Sequence, residues 1–162
     1  MTFTWQPESV GLDVPVSMAY DGNTYYYVTD GNKNVTGLLD QAGNRVAGYI
    51  YGPFGQLLSA EGELAEVNPF RFSSEYADDE TGLVYYNYRY YNAKLGRWIK
   101  RDLAQEEGGI NLYGVLENNV LNEYDYCGLL SKNKCECSYR RARELSKFAY
   151  APYAILGVAI KA

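Results

Sequence analysis

Short strand-like stretches alternate with turn residues between positions 24 and 59. Aromatic and β-branched residues favour strands, whereas the Gly, Asn, Asp and Pro residues between them favour turns. The strand-like stretches are NTYYYVTD, KNVTGLLD, NRVAGYIYG and GQLLSA. Gly31, Gly43 and Gly55 recur at intervals of 12 residues, and glycine suits turns that require a positive φ. The pattern predicts a series of antiparallel hairpins, each pairing with its neighbour.

The next segment, residues 60–70, is acidic and contains Pro69, so we interpret it as an exposed loop. A turn at NAKLG, a short strand at RWIK and a further strand at INLYGVL are predicted downstream. We therefore expect a β-rich chain with antiparallel hairpins across residues 16–100.

Five of the seven residues from 85 to 91 are tyrosines. An extended chain would separate this region into two faces by strict alternation. One face would hold Val84, Tyr86, Tyr88 and Tyr90, and the other Leu83, Tyr85, Asn87, Arg89 and Tyr91. Because both faces are aromatic, the pattern predicts one strand that is covered on both sides.

Composition restricts the chemistry that the chain can perform. There are no histidines among the 162 residues, which excludes Ser-His and Cys-His nucleophile pairs and histidine metal sites. Cys127, Cys135 and Cys137 define neither a disulfide framework nor a zinc site, and we interpret them as reduced structural thiols. We expect no cofactor and no metal, and the net charge of −5 argues against nucleic-acid binding.

The charge balance changes sharply near residue 130. Residues 131–162 contain 7 basic and 2 acidic residues, whereas the first 130 contain 8 basic and 18 acidic residues. We therefore predict a β module at 1–129 and a distinct tail at 130–162, with a short helix around SYRRARELSKFAYA. The N-terminus has no Sec-type signal pattern. The apolar run at 148–160 is too short to span a bilayer.

Several motifs in fixed order resemble the RHS/YD-repeat family, and more closely its RHS repeat-associated core domain. The motifs are YVTDGNKNV, DQAGNRV, YIYGPFG, NPFRFSSEYADDETGLVYYNYRYYNAKLGRWIKRD and GGINLYGVLENN. The resemblance covers roughly residues 16–129. It implies antiparallel YD-type hairpin repeats that form part of the end of a hollow β shell around a C-terminal polypeptide, commonly a toxin.

The resemblance also implies partners and a location. The partners would be the rest of a larger shell or the chain's own tail, with an immunity protein as a further partner. The chain would be secreted or cell-surface associated as part of that system, and it would correspond to the C-terminal end of a longer family member. For the tail we favour a packed or disordered end over membrane contact, for which its basic and apolar halves are the only signal.

A self-cleaving pair of aspartates is the chemistry that the resemblance implies. The family's two motif positions match Asp102 in RDLAQ and Asp125 in YDYCGL, with cleavage after Leu129. Two close carboxylates do not both ionise easily, so one can accept a proton from water while the other donates one. Leu103 and Tyr126 stand where the family has proline.

The alternative is that both aspartates cap turns or are solvated, in a non-catalytic structural or surface-binding module. The basic residues closest in sequence, Arg97, Lys100 and Arg101, are interpreted as exposed charges.

Overall fold

The computed structural model describes residues 1–6, 13–103 and 110–120, together with Asp125 and Gly128. In this part of the chain, ten strands form two antiparallel sheets, each with its strands in chain order. The first sheet comprises β1 (Thr2–Trp5), β2 (Pro15–Tyr20), β3 (Asn23–Thr29), β4 (Val35–Leu39), β5 (Arg45–Tyr51) and β6 (Leu57–Glu61). The second comprises β7 (Tyr76–Asp78), β8 (Leu83–Tyr86), β9 (Arg89–Asn92) and β10 (Arg97–Trp98). Short 3₁₀ segments occur at Phe72–Ser74 and Leu116–Asn118. The predicted mainly β fold with consecutive hairpins is confirmed.

Two successive hairpin turns of the first sheet are stabilised by the same pattern of hydrogen bonds to an aspartate side chain. Asp30 Oδ1 accepts hydrogen bonds from two backbone N–H groups of its turn at 2.8 and 2.9 Å. Asp40 Oδ1 does the same in the next turn at 2.9 and 2.8 Å. The left-handed residue is Gly43 in the second turn (φ 85°) but Lys33 in the first (φ 64°). The predicted positive φ is therefore confirmed at Gly43 and wrong at Gly31, where no positive φ occurs.

The acidic segment after β6 is packed against the first sheet, so the prediction of an exposed loop is wrong for its apolar and amide side chains. Leu64 joins the core cluster beneath the sheet. Asn68 is fully buried, donates to the Tyr49 hydroxyl at 3.2 Å and accepts from the Tyr27 hydroxyl at 2.7 Å. These contacts provide partners for polar groups that would be costly to bury alone.

The tyrosine-rich region forms a hairpin and not the single two-sided strand that was predicted. Tyr86 pairs with Arg89 across a two-residue turn, in which Asn87 has φ 54°. The turn resets the alternation, so Arg89 and Tyr91 are buried like Tyr86, whereas Tyr90 is 42% exposed. One face of this hairpin is therefore covered and the other is open to solvent.

The region after β9 matches the prediction in part. The NAKLG turn is present and the following strand is limited to Arg97–Trp98. The predicted strand at 110–116 is wrong, because the region consists of turns with one isolated bridge between Arg97 and Gly114. Asn111 explains part of this, since its side chain accepts from the backbone N–H of Tyr113 and favours a turn.

Two apolar clusters form the core and meet at a row of aromatic rings. The first lies against the six-stranded sheet and contains Met18, Val35, Leu38, Ala47, Tyr49, Leu64 and Ala65. The second lies against the four-stranded sheet and contains Phe72, Val84, Tyr86, Tyr91, Trp98, Val115, Leu116 and Val120. Phe72 connects them, with its ring centroid 6.1 Å from that of Tyr51 and 6.0 Å from that of Tyr91.

Several expectations fall outside the described residues. These are the boundary at residue 130, the helix in the tail, the cleavage position Leu129 and the thiols Cys127, Cys135 and Cys137. Within the part that is described, no helix has the length and apolar character needed to cross a membrane.

Candidate active site

A buried arginine joins the two aspartates that the sequence singled out. Arg89 is 1% exposed at the first position of β9. Its Nη2 lies 2.9 Å from Asp102 Oδ2 and 3.6 Å from Asp125 Oδ2. One guanidinium therefore brings together two carboxylates that are 23 positions apart in the sequence.

Asp102 reaches this position through the chain that follows β10. The Trp98 backbone N–H donates to the Tyr113 carbonyl at 3.0 Å, and the Asp102 N–H donates to the Leu112 carbonyl at 2.9 Å. These bonds fix the segment at both ends and turn the Asp102 side chain inward, where the residue is 8% exposed. The alternative that Asp102 is a solvated turn residue is not consistent with this burial.

Asp125 and Gly128 form the other side of the site. The Gly128 N–H donates to Asp125 Oδ1 at 2.8 Å, and the Gly128 carbonyl accepts from Arg89 Nε. Gly128 has φ 72°, and a Cβ at this position would lie 2.9 Å from the Tyr86 carbonyl oxygen. Glycine is thus required twice, by the backbone conformation and by the close approach to the β8–β9 hairpin.

The face of the guanidinium rests on an aromatic ring. Arg89 Cζ lies 4.2 Å from the centroid of the Trp98 ring, and Trp98 is fully buried. This cation–π contact replaces water on one side of the cation. Burial lowers the pKa of Arg89, while the charges of Asp102 and Asp125 act in the opposite direction.

A third buried carboxyl group, that of Glu75, lies close enough to Asp125 to interact with it electrostatically. Burial raises the pKa of Glu75 from 4.5 to about 8, Lys33 opposes this rise, and the charge of Asp125 adds to it. Lys33 is 3% exposed, and its carbonyl accepts from the Ser74 hydroxyl at 2.6 Å. The turn with the unusual left-handed lysine is therefore tied to the loop that carries Glu75.

The arrangement combines two carboxylates, a cation and a backbone segment held at both its N–H and its C=O group. Such a set can activate water and protonate a leaving amine without histidine. No group of three acidic or thiol side chains suited to a metal occurs in the part of the chain that the structure describes.

Comparison with known protein families identifies the family of this chain. The sequence model of the Teneurin YD-shell family matches residues 13–126. The chain belongs to this family. The predicted RHS/YD-repeat resemblance is thereby confirmed.

Three comparisons place this YD-shell chain among larger proteins. Toxin subunit YenC1 of Yersinia entomophaga is 31% identical over 122 residues, which are 73% of this chain and 12% of the relative. Salivary gland surface protein 1 of Aedes aegypti is 34% identical over 113 residues, 69% of this chain and 3% of the relative. The crystal structure of TcdB2-TccC3 without hypervariable C-terminal region superposes with a TM-score of 0.64 at 30% identity, covering 68% of this chain and 5% of that chain. The YD-shell chain thus spans only a small part of the proteins it resembles.

Sequence reasoning missed three buried charged residues of this YD-shell site, namely Arg89, Glu75 and Lys33. Arg89 was assigned to the wrong face because the turn at Asn87 was not recognised. A basic residue inside an aromatic strand was the available signal, since an unpaired buried arginine is costly. The three basic residues near Asp102 in sequence, Arg97, Lys100 and Arg101, are exposed as expected.

Proposed function

We propose that this chain is the core module of an RHS-type toxin-delivery protein and that it cleaves its own backbone after Leu129. Asp102 and Asp125 would perform the cleavage, and the tail at 130–162 would be released. The observation that carries the proposal is the convergence of both buried carboxylates on Arg89, beside the pinned backbone of Gly128.

The position of Gly128 supports cleavage at the following residue. Its backbone N–H donates to Asp125, and its carbonyl accepts from Arg89. The bond to be cut, between Leu129 and Leu130, belongs to the peptide unit that follows the Gly128–Leu129 unit. Holding the chain this close to the carboxylates converts hydrolysis into an intramolecular reaction with a large entropic advantage.

The chemical step follows from a pair of carboxyl groups that share one proton. The ionised carboxylate removes a proton from water, and the water oxygen attacks the Leu129 carbonyl carbon. The protonated carboxyl group gives its proton to the Leu130 nitrogen as the C–N bond breaks. The products are a carboxylate at Leu129 and an amine at Leu130, and no histidine or metal takes part.

The relatives support a place within a larger shell. YenC1 is named as a toxin subunit, and the TcdB2-TccC3 structure is described as lacking a hypervariable C-terminal region. By analogy, the present chain would close the end of a β shell whose other repeats are its main partner, with an immunity protein as a further partner. Such a system would act outside the producing cell or at its surface.

Substitution of each aspartate tests the assignment. Asp102→Asn and Asp125→Asn keep the side-chain size but remove the titrating group, so each should leave the 162-residue chain intact while the wild type is cut. Asp21→Asn is the matched control, because Asp21 is an exposed turn residue with φ 48°, which asparagine tolerates. Intact mass spectrometry after purification reports the outcome. Full cleavage in either Asn variant, with the fold retained, would remove the aspartates from the mechanism.

The second candidate is a non-catalytic module that binds or displays through its surface. It is favoured by an open aromatic pair, Tyr85 and Tyr90, whose ring centroids lie 5.1 Å apart on the solvent face of β8 and β9. A wild-type chain that stays intact would favour this alternative. Tyr90→Ala would then be expected to weaken the binding of a partner to this face without lowering the free energy of unfolding.

A further inference from the structure

We propose that Glu75, together with Lys33, holds the proton that the self-cleavage reaction delivers to the leaving amine, and that Glu75 passes this proton on through Asp125. The inference rests on the proposed function. It assigns a role to two buried residues outside the aspartate pair, one directly before β7 and one in the turn between β3 and β4.

Five ionisable side chains are buried around the aspartate pair, and we call them the charge cluster. None of them is more than 8% exposed, and they are Lys33, Glu75, Arg89, Asp102 and Asp125. Three carboxyl groups and two cations leave one negative charge in excess when all five are ionised. An uncompensated charge is costly to bury, so one carboxyl group of the charge cluster is expected to hold a proton.

Glu75 is the carboxyl group of the charge cluster that favours this proton. Asp102 and Asp125 share the guanidinium of Arg89, whose Nη2 lies 2.9 and 3.6 Å from their Oδ2 atoms. Burial raises the pKa of Glu75 to about 8, Lys33 opposes this rise, and the charge of Asp125 adds to it. At neutral pH the excess proton therefore belongs to Glu75 and not to the pair beside Arg89.

The backbone around Glu75 is fixed on both sides of its peptide link. Its N–H donates to the Phe72 carbonyl at 3.0 Å, and its carbonyl accepts from the Arg71 N–H at 3.2 Å. The Ser74 hydroxyl donates to the Lys33 carbonyl at 2.6 Å and ties this loop to the β3–β4 turn. Two residues of opposite charge thus enter the charge cluster from separate elements that are joined to each other.

The Tyr86 hydroxyl interacts with both Glu75 and Asp125. Tyr86 is 4% exposed, and burial raises the pKa of its hydroxyl. The charge of Glu75 adds to this rise, a hydrogen bond with Ser73 opposes it, and the charge of Asp125 adds to it again. A hydroxyl can accept one proton while it donates its own, so this group is suited to relay a proton between the two carboxyl groups.

The chemical step balances when the proton moves from Glu75 to Asp125. Asp102 takes a proton from water, and the water oxygen forms a bond to the carbonyl carbon at the cleavage position. Asp125, protonated by Glu75, gives that proton to the leaving nitrogen as the C–N bond breaks. Lys33 then faces an ionised Glu75, and the opposite charges stabilise the state that remains after the transfer.

The rate of cleavage as a function of pH tests the proposal. Uncut chains trapped in denaturant after brief cell-free translation are diluted into buffers from about pH 5 to about pH 10, and intact mass follows the uncut fraction. Tryptophan fluorescence in the same mixtures reports folding, so that slow folding is not taken for slow cleavage.

The wild-type rate should fall with a midpoint near pH 8, because Glu75, whose pKa is about 8, loses its proton there. Burial raises the pKa of Tyr85 and of Tyr86, the tyrosines that interact with Glu75, so neither should titrate near this midpoint. A wild-type rate that stays constant through this region contradicts the proposal.

Two substitutions should move the basic limb of the profile in opposite directions. Glu75→Gln keeps the side-chain size but cannot release a proton, so the pair beside Arg89 must supply it. The limb should then move to lower pH, because the cation opposes protonation of its neighbours, and the rate at neutral pH should fall about tenfold or more. Lys33→Met removes the charge that opposes protonation of Glu75, so the limb should move to higher pH.

Glu80→Gln and Lys94→Met are the matched controls, because both residues are exposed. Each should keep the wild-type midpoint. Folded Glu75→Gln and Lys33→Met that shift the limb in the same direction, or leave it in place, would overturn the proposal. If either variant does not fold, the wild-type limb and the remaining variant decide. A wild type that stays uncut at every pH rejects the proposed function, whereas a cut wild type without this limb rejects only the role of Glu75.

Discussion

Arg89 and Asp102 form a buried ion pair in which Nη2 lies 2.9 Å from Oδ2, and their side chains are only 1% and 6% exposed. The pair links the start of β9 to the segment that follows β10. Removing one member of such a pair leaves the other charge buried without its partner, which typically costs about 3–5 kcal/mol. The hairpin and the candidate active site are therefore one structural unit, and the predictions below separate their contributions.

Gly128→Ala should slow cleavage, whereas Gly22→Ala should not. Both glycines have positive φ, at 72° and 77°, so each substitution carries a backbone cost of about 1–2 kcal/mol. Only at Gly128 would the new Cβ meet other atoms, at 2.9 Å from the Tyr86 carbonyl oxygen. Thermal unfolding and timed intact mass measure the two effects. Wild-type cleavage by Gly128→Ala would show that the close approach to β8 is not required.

Tyr91→Ala should destabilise the fold by about 3–5 kcal/mol, the usual cost of deleting a large buried aromatic side chain. Tyr91 is fully buried, and its ring lies against Phe72, Tyr86 and Trp98. Tyr90→Ala, at the neighbouring exposed position, should change the free energy of unfolding by less than about 1 kcal/mol. Urea denaturation of both variants measures their free energies of unfolding. Equal decreases in the two variants would contradict the register of the β8–β9 hairpin.

Glu75 should make the stability of the fold fall as pH rises. Its pKa is about 8 in the folded chain and 4.5 ordinarily, so the folded state binds more protons than the unfolded state between these pH values. The free energy of unfolding should therefore decrease across this window, by at most about 1.4 kcal/mol per pH unit from this group.

Glu75→Gln should flatten that dependence, since the titrating group is gone. Glu80→Gln, at an exposed position in the turn between β7 and β8, should leave it unchanged. Chemical denaturation at pH 5 to 9 provides the comparison. Parallel curves for wild type and Glu75→Gln would show that Glu75 titrates normally in the fold.

The hairpins of the first sheet could be predicted from the sequence because their signals are local. Alternating side chains and the Asp-led turns at Asp30 and Asp40 act within a few residues of each other. The second sheet was harder to predict from the sequence. Asn87 produces a two-residue turn without glycine, and the tyrosines on either side hide the change of face.

The candidate site depended on information that is not local. The approach of Asp102 to Asp125 was suggested by family resemblance, because 20 acidic residues allow many pairs on spacing alone. The participation of Arg89 and Glu75 followed only from the packing of the hairpin and the 72–75 segment around the site. The burial of Leu64 likewise required the sheet beneath it, which no property of the acidic segment itself reveals.

The central claim is that the chain cuts itself after Leu129, and the mass of the purified wild-type chain tests it most directly. Freshly translated protein should convert into two pieces, residues 1–129 and 130–162, at a rate that does not change on tenfold dilution because the reaction is intramolecular. A chain that remains at its full mass under native conditions, or pieces that begin elsewhere than at Leu130, would contradict the account.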